Sequence, residues 1–385
     1  MIVPNKFFRT DYGEGLRRLL TTNKAIEQIV DFGASQVFGA TTYTCLLFLG
    51  KSRTAKFKYA QALASKEALK ESSFRELDAN TKGHQAWSFA EEKVSQLVQK
   101  LEHHSVRLLD LPAEMSRGSS TGDDEVFMVE QGDKRIEKAV LRVPIFATDF
   151  RRYVFAPSSQ WQLIFPYARD NGAFRLYEVE EIKTKFPKAF AYLREHEATL
   201  KQRKQYSEWF GYSAPRNLEL HDRAQIIVPL LANRGSFALI PETTRGKLCP
   251  MASGGFTITL SPECVFAPEY VLGLLNSKLL FWKLRELSNV FRGGWITCTK
   301  QYFGELPIRF LNLKDHADKA RHDRMVKLVE RMLELHKQLT AAKTDHAKTN
   351  LQRQIDATDT QIDKLVYELY GLNEDEIKIV EEAAK

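Results

Sequence analysis

The first fifty or so residues alternate between apolar runs and turns, in the order strand, helix, strand, strand. IVP (2–4) predicts the end of a strand, DYGEGLRRLLTTN (11–23) a short helix, and IEQIVDFG and TYTCLLFLG two further strands. The almost unbroken apolar run of TYTCLLFLG is typical of a parallel strand that is buried on both faces. TAKFKYAQAL (54–63) predicts a third, antiparallel strand. We therefore expect the closing portion of a doubly wound α/β sheet, which so short a segment cannot cover on both faces by itself.

The middle of the chain has an α+β pattern. QAWSFAEEKVSQLVQKLEHH (85–104) predicts a connecting helix, and GSSTGDDE (118–125) predicts a loop because of its Gly, Ser and Asp content. Short β-rich runs, among them KAVLRVPIF, AQIIVPLL and GFTITLS, then alternate with turns as far as residue 307, with helical stretches at 185–205 and 268–286.

The last seventy residues have a helical period instead. Apolar residues recur every three or four positions in two runs, and the polar stretch KTDHAKTN (343–350) separates them. The two runs are Met325, Leu328, Met332, Leu335, Leu339, Ala342 and Leu351, Ile355, Thr358, Ile362, Leu365, Leu369. This spacing predicts an antiparallel helical hairpin, and Gly371 after LVYELY predicts a left-handed C-cap.

Composition excludes several classes of protein. The 385 residues are 43% hydrophobic and 27% charged, which is ordinary for a globular protein in water. No apolar run reaches membrane-spanning length, and the first residues lack the basic-then-apolar order of a signal peptide. The four cysteines form no CxxC pair, which argues against a zinc site or a disulfide framework and favours a reducing, cytoplasmic location.

Positive charge is concentrated near the end of the α+β region. The net charge is +7, and residues 278–309 carry six Lys and Arg against two Glu, interleaved with aromatic residues. Basic residues mixed with aromatics suit phosphate contact and base stacking. An ordinary core with solvated charges explains the same composition equally well, so charge alone leaves both interpretations open.

Three stretches together resemble one family, in the family's order and over nearly the whole chain. IVPNKFFRTDYGEGLRRLL…IVDFGASQVFGATTYTCLLFL resembles the end of the catalytic domain of γ-type, TaqI-like N6-adenine DNA methyltransferases, which include type IIG restriction-modification and phage-exclusion enzymes. YVLGLLNSKLLFWKLRELSNVFRGGWITCTKQYFGELPI resembles their target-recognition domain, and IDKLVYELYGL resembles the helix that closes many such chains.

The resemblance implies a division of the chain into four parts. Residues 1–80 would be the C-terminal part of the methyltransferase catalytic domain, a Rossmann-like fragment, and 81–104 a connecting helix. Residues 105–312 would form the target-recognition domain and 313–385 the helical hairpin tail. Double-stranded DNA is then the expected partner, and a membrane is not.

Two motifs of the family are not found in this sequence: the Gly-rich S-adenosylmethionine loop and the Asn-Pro-Pro-aromatic motif that grips the adenine amino group. We therefore expect no cofactor or metal in this chain, and no methylation by it alone. S-adenosylmethionine is expected in the complete enzyme, whose N-terminal catalytic half is either part of the same polypeptide or a separate subunit. A different class of function stays open: a non-catalytic scaffold that docks a partner through its helical hairpin.

Phe38, in QVFGATTY, is the candidate catalytic residue. A methyltransferase that acts on a base must extrude it and hold it between flat surfaces. The resemblance implies that Phe38 stacks on the flipped adenine, with Thr41 and Tyr43 as structural neighbours. A core Phe at the mouth of a strand is the plainer interpretation.

The candidate DNA contacts lie in basic or glycine-containing turns. Gly118 and Gly122 permit close backbone approach either to DNA or to the following strand, although a simple surface loop fits equally well. Arg292 and Lys300 flank the glycine turn, and Trp295 is expected to have a structural role in which it packs under LPI (306–308). The predicted DNA-binding residues are Arg117, Arg151, Arg152, Arg245, Lys247, Arg292, Gly293, Gly294 and Lys300.

Overall fold

The computed structural model describes the chain as two compact units. Unit 1 comprises residues 1–97 and 290–295, and unit 2 comprises residues 98–289 and 296–385. Positions 34, 36, 39–41, 52–54, 63–73, 80–82, 86, 88, 90, 91, 289 and 385, and the side chains of Glu92 and Arg292, lie outside the described part of the chain. The mixed α/β architecture with several sheets and C-terminal helices is confirmed.

Unit 1 contains one five-stranded sheet in the order β1-β3-β2-β4-β5. The strands are β1 (Ile2–Pro4), β2 (Ile26–Asp31), β3 (Thr44–Leu49), β4 (Lys56–Gln61) and β5 (Arg75–Asp78), and the helix α1 (Glu14–Thr22) lies between β1 and β2. β3 pairs antiparallel with both β1 and β2. β4 pairs in parallel with β2, so the predicted third strand has a parallel neighbour and the sheet is mixed.

The burial of β3 also differs from the prediction. Cys45 and Leu47 are buried, whereas Phe48 and Leu49, at its end, are 44% and 40% exposed. The apolar run is therefore covered on both faces only in its first half, because the antiparallel neighbours of β3 do not require a helix layer on each face.

An aromatic cluster forms the core of unit 1. Phe8 and Trp87 rings lie 6.1 Å apart, and Tyr59 stacks on Phe89 at 4.3 Å. Trp87 donates its backbone N–H to the Phe8 carbonyl over 2.7 Å. The helix predicted for 85–104 is therefore shorter at its start: it is α2 (Glu92–Glu102), because Trp87 and Phe89 are buried in non-helical backbone.

Unit 2 is built around two four-stranded sheets, ordered β17-β15-β19-β7 and β18-β9-β12-β8, with smaller two-stranded pairs. Its strands are β6 (Ser105–Arg107), β7 (Ala113–Arg117), β8 (Met128–Glu130), β9 (Leu141–Ile145), β10 (Phe150–Arg151), β11 (Val154–Phe155), β12 (Trp161–Ile164), β13 (Tyr167–Asp170), β14 (Ala173–Leu176), β15 (Ile226–Val228), β16 (Leu231–Ala232), β17 (Ala238–Leu239), β18 (Leu248–Pro250), β19 (Phe256–Leu260), β20 (Ile296–Thr297) and β21 (Pro307–Arg309). Many of them join residues that are far apart in the chain, as when β21 pairs with β6.

The helices between these strands are short. They are α3 (Asp124–Phe127), α4 (Val179–Lys185), α5 (Pro187–Glu195), α6 (Glu197–Leu200), α7 (Leu218–Arg223), α8 (Pro268–Asn276), α9 (Lys278–Leu287) and α10 (Lys300–Phe303). α8 and α9 are largely buried, and the Asn276 side chain bonds the backbone N–H and carbonyl of Phe237 at 3.0 Å each.

The predicted helical hairpin is present. It consists of α11 (His316–Ala341) and α12 (Asp345–Tyr370), and an ion pair of 3.5 Å between Arg324, early in α11, and Glu368, late in α12, fits antiparallel helices. The connection is residues 342–344, shorter than predicted, because the Thr344 hydroxyl caps α12 by accepting the Ala347 N–H. A further helix, α13 (Glu374–Ala383), follows.

Hydrogen bonds anchor the hairpin on the rest of unit 2. The Tyr370 hydroxyl donates to the Pro307 carbonyl over 2.6 Å, and His322 Nε2 accepts the Ala267 N–H over 3.2 Å. Gly371 adopts φ +64° and ψ +35°, and Leu372 N–H reaches the Tyr367 carbonyl over 3.0 Å, so the predicted left-handed C-cap is confirmed.

Candidate nucleic-acid interface

The loop that carries Phe38 joins β2 to β3 in unit 1. The Phe38 side chain is 50% exposed, so it does not belong to the core of this unit. Thr41 lies outside the described residues. An exposed aromatic side chain on a loop between two strands of a sheet is free to contact a flat ligand.

Asn5, directly after β1, fastens both ends of this loop. Its Nδ2 donates to Asp31 Oδ1 over 2.9 Å and to the Gly33 carbonyl over 3.1 Å, at the start of the loop. Its backbone N–H donates to the Tyr43 carbonyl over 3.0 Å, at the end of the loop. One residue therefore fixes the separation of the two ends between which Phe38 is presented.

Asp31 completes this clamp from β2. Its Oδ1 also accepts the Gly33 N–H over 2.9 Å, which holds Gly33 in a turn with φ +54°. The Tyr59 hydroxyl lies 3.5 Å from Asp31 Oδ2. Burial, and then the negative charge of Asp31, raise the pKa of Tyr59 well above its usual value, so this hydroxyl stays protonated as a donor.

The glycine turn at 290–295 belongs to unit 1 as well. Gly293 and Gly294 have φ values of +75° and +74°, which an L side chain adopts at a cost. Phe291 closes the turn, donating to the Trp295 carbonyl over 2.6 Å, and its ring lies 6.1 Å from that of Tyr43. The structure thus brings this turn beside the end of the Phe38 loop, although about 250 residues separate the two in the chain.

Trp295 is 44% exposed, so its side chain is only partly packed, and its expected structural role stays a prediction. The backbone of Arg292 is described but its side chain is not. Lys300, at the start of α10 in unit 2, is exposed.

Arg151 and Arg152 have opposite surroundings. Arg151 is exposed, and within the described residues its side chain makes no hydrogen bond or ion pair. Arg152 points inward: it donates to the carbonyls of Gly235, at 3.0 Å, and Asn276, and forms an ion pair with Asp359 of α12. Arg152 is therefore bound internally whereas Arg151 faces solvent, and the DNA contacts predicted for both stay predictions.

The other predicted cations are all near the surface of unit 2. Arg117 ends β7 and is exposed. Arg245 is 28% exposed in its side chain and pairs with Glu242 over 3.1 Å, while Lys247 is exposed and donates to the Thr243 carbonyl over 3.3 Å. Their DNA contacts stay predictions.

The glycine segment at 118–125 is not a surface loop at its start. A Cβ on Gly118 would lie 2.3 Å from the Met251 carbonyl oxygen, and Ser119 and Thr121 are fully buried. Ser119 and Ser120 form bridges with Met251 and Ala214. The backbone of Gly118 therefore approaches the segment of Pro250 and Met251 at the end of β18, and not the strand that follows it in the chain.

Sequence reasoning missed two features. Asn5 lies in the N-terminal stretch that resembles the family, but only its hydrogen bonds to Asp31, Gly33 and Tyr43 show that it links the two ends of the Phe38 loop. Arg234 is the other: it is exposed, makes no hydrogen bond or ion pair among the described residues, and lines a cavity together with Arg151.

No group of three His, Cys, Asp or Glu side chains that could hold a metal ion occurs in the described ranges. Nor does any helix described here have the length and apolar content needed to cross a membrane.

Comparison with known proteins identifies the relatives of the chain. Residues 1–38 match the family model described as Eco57I restriction-modification methylase. The whole chain aligns at 26% identity with the type II restriction enzyme and methyltransferase RM.Eco57I of Escherichia coli, of which it spans 42%. It also aligns over its whole length at 20% identity with the type II methyltransferase M.BstVI of Geobacillus stearothermophilus, spanning 65% of it, and over 98% at 22% identity with M.XhoI of Xanthomonas vasicola, spanning 66%.

Among solved structures, the type IIG restriction endonuclease BpuSI resembles 96% of this chain with a TM-score of 0.41 and 13% identity, over 47% of its own length.

Proposed function

We propose that this chain, which is homologous to type II restriction-modification methyltransferases, is the DNA-binding specificity portion of a site-specific adenine-N6 DNA methyltransferase. The alignment of its whole length with a restriction enzyme and methyltransferase carries the proposal. The complete enzyme would act in a restriction-modification or phage-defence system in the cytoplasm. The methyl donor, S-adenosylmethionine, would bind in the N-terminal catalytic half of the complete enzyme.

In this proposal residues 1–80 are the end of the catalytic domain, 81–104 connect it to a target-recognition domain at 105–312, and the helical hairpin at 313–385 braces the latter. The anchoring of Tyr370 on Pro307 supports a bracing role. The glycine turn at 290–295 groups with unit 1 and would therefore work together with the Phe38 loop.

Phe38 would form one wall of the pocket for the flipped adenine. A base taken out of the stack needs a flat apolar surface, and stacking of a base on an aromatic ring is worth about 1–3 kcal/mol. The 50% exposure of Phe38 and the clamped loop ends support this role. The glycine turn would present backbone N–H groups to a phosphate.

Arg117, Arg151, Lys247 and Lys300 would contact the DNA backbone, since their side chains are exposed. Arg245 would contribute by releasing Glu242, and Arg152 has its charge compensated by Asp359. Each neutralised phosphate releases counterions, so affinity should fall steeply with salt.

DNA binding is tested by gel shift of this chain on duplex DNA across a salt series. The slope of log affinity against log salt should become shallower by about 0.9 for each phosphate contact removed when the four exposed cations are changed to Gln. Arg194→Gln with Lys204→Gln, two exposed cations outside the proposed set, is the control and should leave the slope unchanged. Absence of binding at low salt would refute the proposal.

The stacking role is tested in the complete enzyme with Phe38→Ala. Turnover should fall about tenfold or more, because a stacked base is lost, whereas DNA affinity should change little. Phe48→Ala removes a Phe of similar exposure, 44%, on β3 and should affect neither. If affinity falls while turnover holds, Phe38 binds DNA without stacking on the target base.

A further inference from the structure

Unit 2 contains a cavity of about 430 Å³ between α9, the hairpin and α13. Sites for small molecules occupy about 300–1,000 Å³. Exposed lining residues include Arg151, Asn233, Arg234 and the carboxylate Asp356, whereas Trp282, Met332 and Ile355 are among the buried ones. The cavity therefore combines exposed polar and cationic side chains with an apolar, partly aromatic wall.

The lining carries five cationic side chains and two carboxylates. The cations are Arg151, Arg152, Arg234, Lys278 and Arg285, and the carboxylates are Asp356 and Asp359. A concave surface with an excess of one charge concentrates ions of the opposite sign. The net charge of the lining favours an anion.

Three of the five cations already have partners inside unit 2. Arg152 pairs with Asp359, Lys278 pairs with Glu381 over 2.6 Å, and Arg285 donates to the Ala383 carbonyl over 2.5 Å. The side chains of Arg151 and Arg234 make no hydrogen bond or ion pair within the described part of the chain. These two guanidinium groups are therefore the ones available to a ligand.

His336 does not add to this charge. Burial, and then the nearby Arg151 and Arg152, lower the pKa of its imidazole, while Asp359 opposes the shift. The ring is therefore neutral at pH 7 and extends the polar part of the wall.

We propose that this cavity binds a phosphorylated ligand the size of a mononucleotide, with its phosphate held by Arg151 and Arg234 and its flat ring against the apolar wall at Trp282 and Met332. Guanidinium groups bind phosphate through paired hydrogen bonds, which accounts for two arginines at the open side. An inorganic anion alone would leave the apolar wall unused. The site does not depend on methylation, since its residues lie within unit 2.

The test is calorimetric titration of the chain with AMP, adenosine and inorganic phosphate in the absence of DNA. AMP should bind at least about tenfold more tightly than either of the other two, because each lacks one of the two contacts. Arg151→Gln and Arg234→Gln should each weaken AMP binding about tenfold. Arg194→Gln, an exposed arginine on α5, should leave it unchanged.

Three results would overturn the proposal: no binding of AMP at millimolar concentration, equal affinity for adenosine and AMP, or equal affinity of the wild type and the Arg151→Gln, Arg234→Gln double variant. Phosphate binding as tight as that of AMP would overturn the role of the apolar wall. Titration of AMP in the presence of duplex DNA then separates two sources of the phosphate. If DNA displaces AMP, the two compete for Arg151, as the proposed function requires, and if both bind together, Arg151 serves the nucleotide and is not a DNA contact.

Discussion

Phe38 in unit 1 and Arg152 in unit 2 are both residues that the sequence marks as DNA contacts, yet their surroundings are opposite. Around Phe38, the hydrogen bonds of Asn5 and Asp31 hold the loop ends and leave the aromatic ring half-exposed. Around Arg152, two carbonyls and a carboxylate take up the charge. In unit 1 polar groups hold the ends of a loop whose aromatic side chain stays half-exposed. In unit 2 polar groups bind the predicted contact side chain itself.

Internal ion pairs and hydrogen bonds also bind most of the cations in the basic segment at 278–309. Four of its six cations are bound within unit 2: Lys278, Lys283, Arg285 and Arg309. Lys283 is only 3% exposed in its side chain and pairs with Glu102 over 3.0 Å. A positive segment therefore indicates a DNA surface only where its charges lack internal partners. Among the described residues, none bonds the Lys300 side chain, whereas Arg285 donates to the Ala383 carbonyl.

The largest effect should come from Arg152→Ala. It would leave Asp359 and two carbonyls without their donor, and breaking such a partly buried pair should cost about 3–4 kcal/mol of unfolding free energy. Arg151→Ala, the adjacent exposed residue, should change stability by less than about 0.5 kcal/mol. Urea unfolding of both variants measures the difference. Equal stabilities would show that the two arginines do not differ as described.

The next effect is a pair of opposing pH dependences in unit 2. Burial lowers the pKa of His221 to about 4 and raises that of Asp363 to about 6. For His221, the unfolded chain binds a proton below about pH 6.5 while the folded chain does not, so its contribution to stability falls as pH drops towards 4. For Asp363, the folded chain keeps a proton that the unfolded chain releases above about pH 4, so stability falls as pH rises towards 6.

Single substitutions should separate the two. The His221→Gln variant keeps only the Asp363 effect, so its free energy of unfolding should rise on acidification from pH 6 to 4. The Asp363→Asn variant keeps only the His221 effect, so its free energy of unfolding should fall over the same range, each by up to about 3 kcal/mol. Unfolding by urea at pH 4, 5 and 6 measures both. In unit 1, burial raises the pKa of Cys45 to about 12, so Cys45→Ala should leave the acid pH dependence unchanged. Parallel pH profiles in all three variants would contradict the assignment.

Local sequence signals predicted the parts of this molecule that depend on neighbours in the chain. The hairpin followed from its apolar spacing, and the C-cap from Gly371. β2 and β3 were predicted as strands, but the insertion of β4 beside β2 was not, because only the non-local hydrogen bonds between strands fix that order. Trp87 likewise has a helical context in sequence and a core position in the structure.

The candidate site was less accessible to sequence. Phe38, which is 50% exposed, was found through a resemblance, and its stacking role stays a prediction. The partner of Arg152 lies 207 residues further along the chain, and the partner of Lys283 lies 181 residues earlier. No local pattern predicts pairs between residues so far apart. The number of charges can therefore be read from the sequence, but not which of them are exposed and which are bound internally.

The smallest effect on stability, and the sharpest test of unit 1, should come from Asn5. Asn5→Ala removes the two Nδ2 bonds to Asp31 and the Gly33 carbonyl but keeps the backbone bond to Tyr43. The free energy of unfolding should therefore fall by only about 1–2 kcal/mol. In the complete enzyme, turnover should fall while the affinity for DNA holds, because a loosened loop misplaces Phe38 without removing a DNA contact.

Asn5→Asp keeps the shape but sets a second carboxylate against Asp31, so it should behave no better than Asn5→Ala at pH 7 and partly recover turnover as the pH is lowered. Asn23→Ala, which removes only a bond to the Leu19 carbonyl at the end of α1, is the matched control and should keep full turnover. A structural role alone predicts lower stability with unchanged turnover per folded molecule, and that result would separate the clamp from the presentation of Phe38.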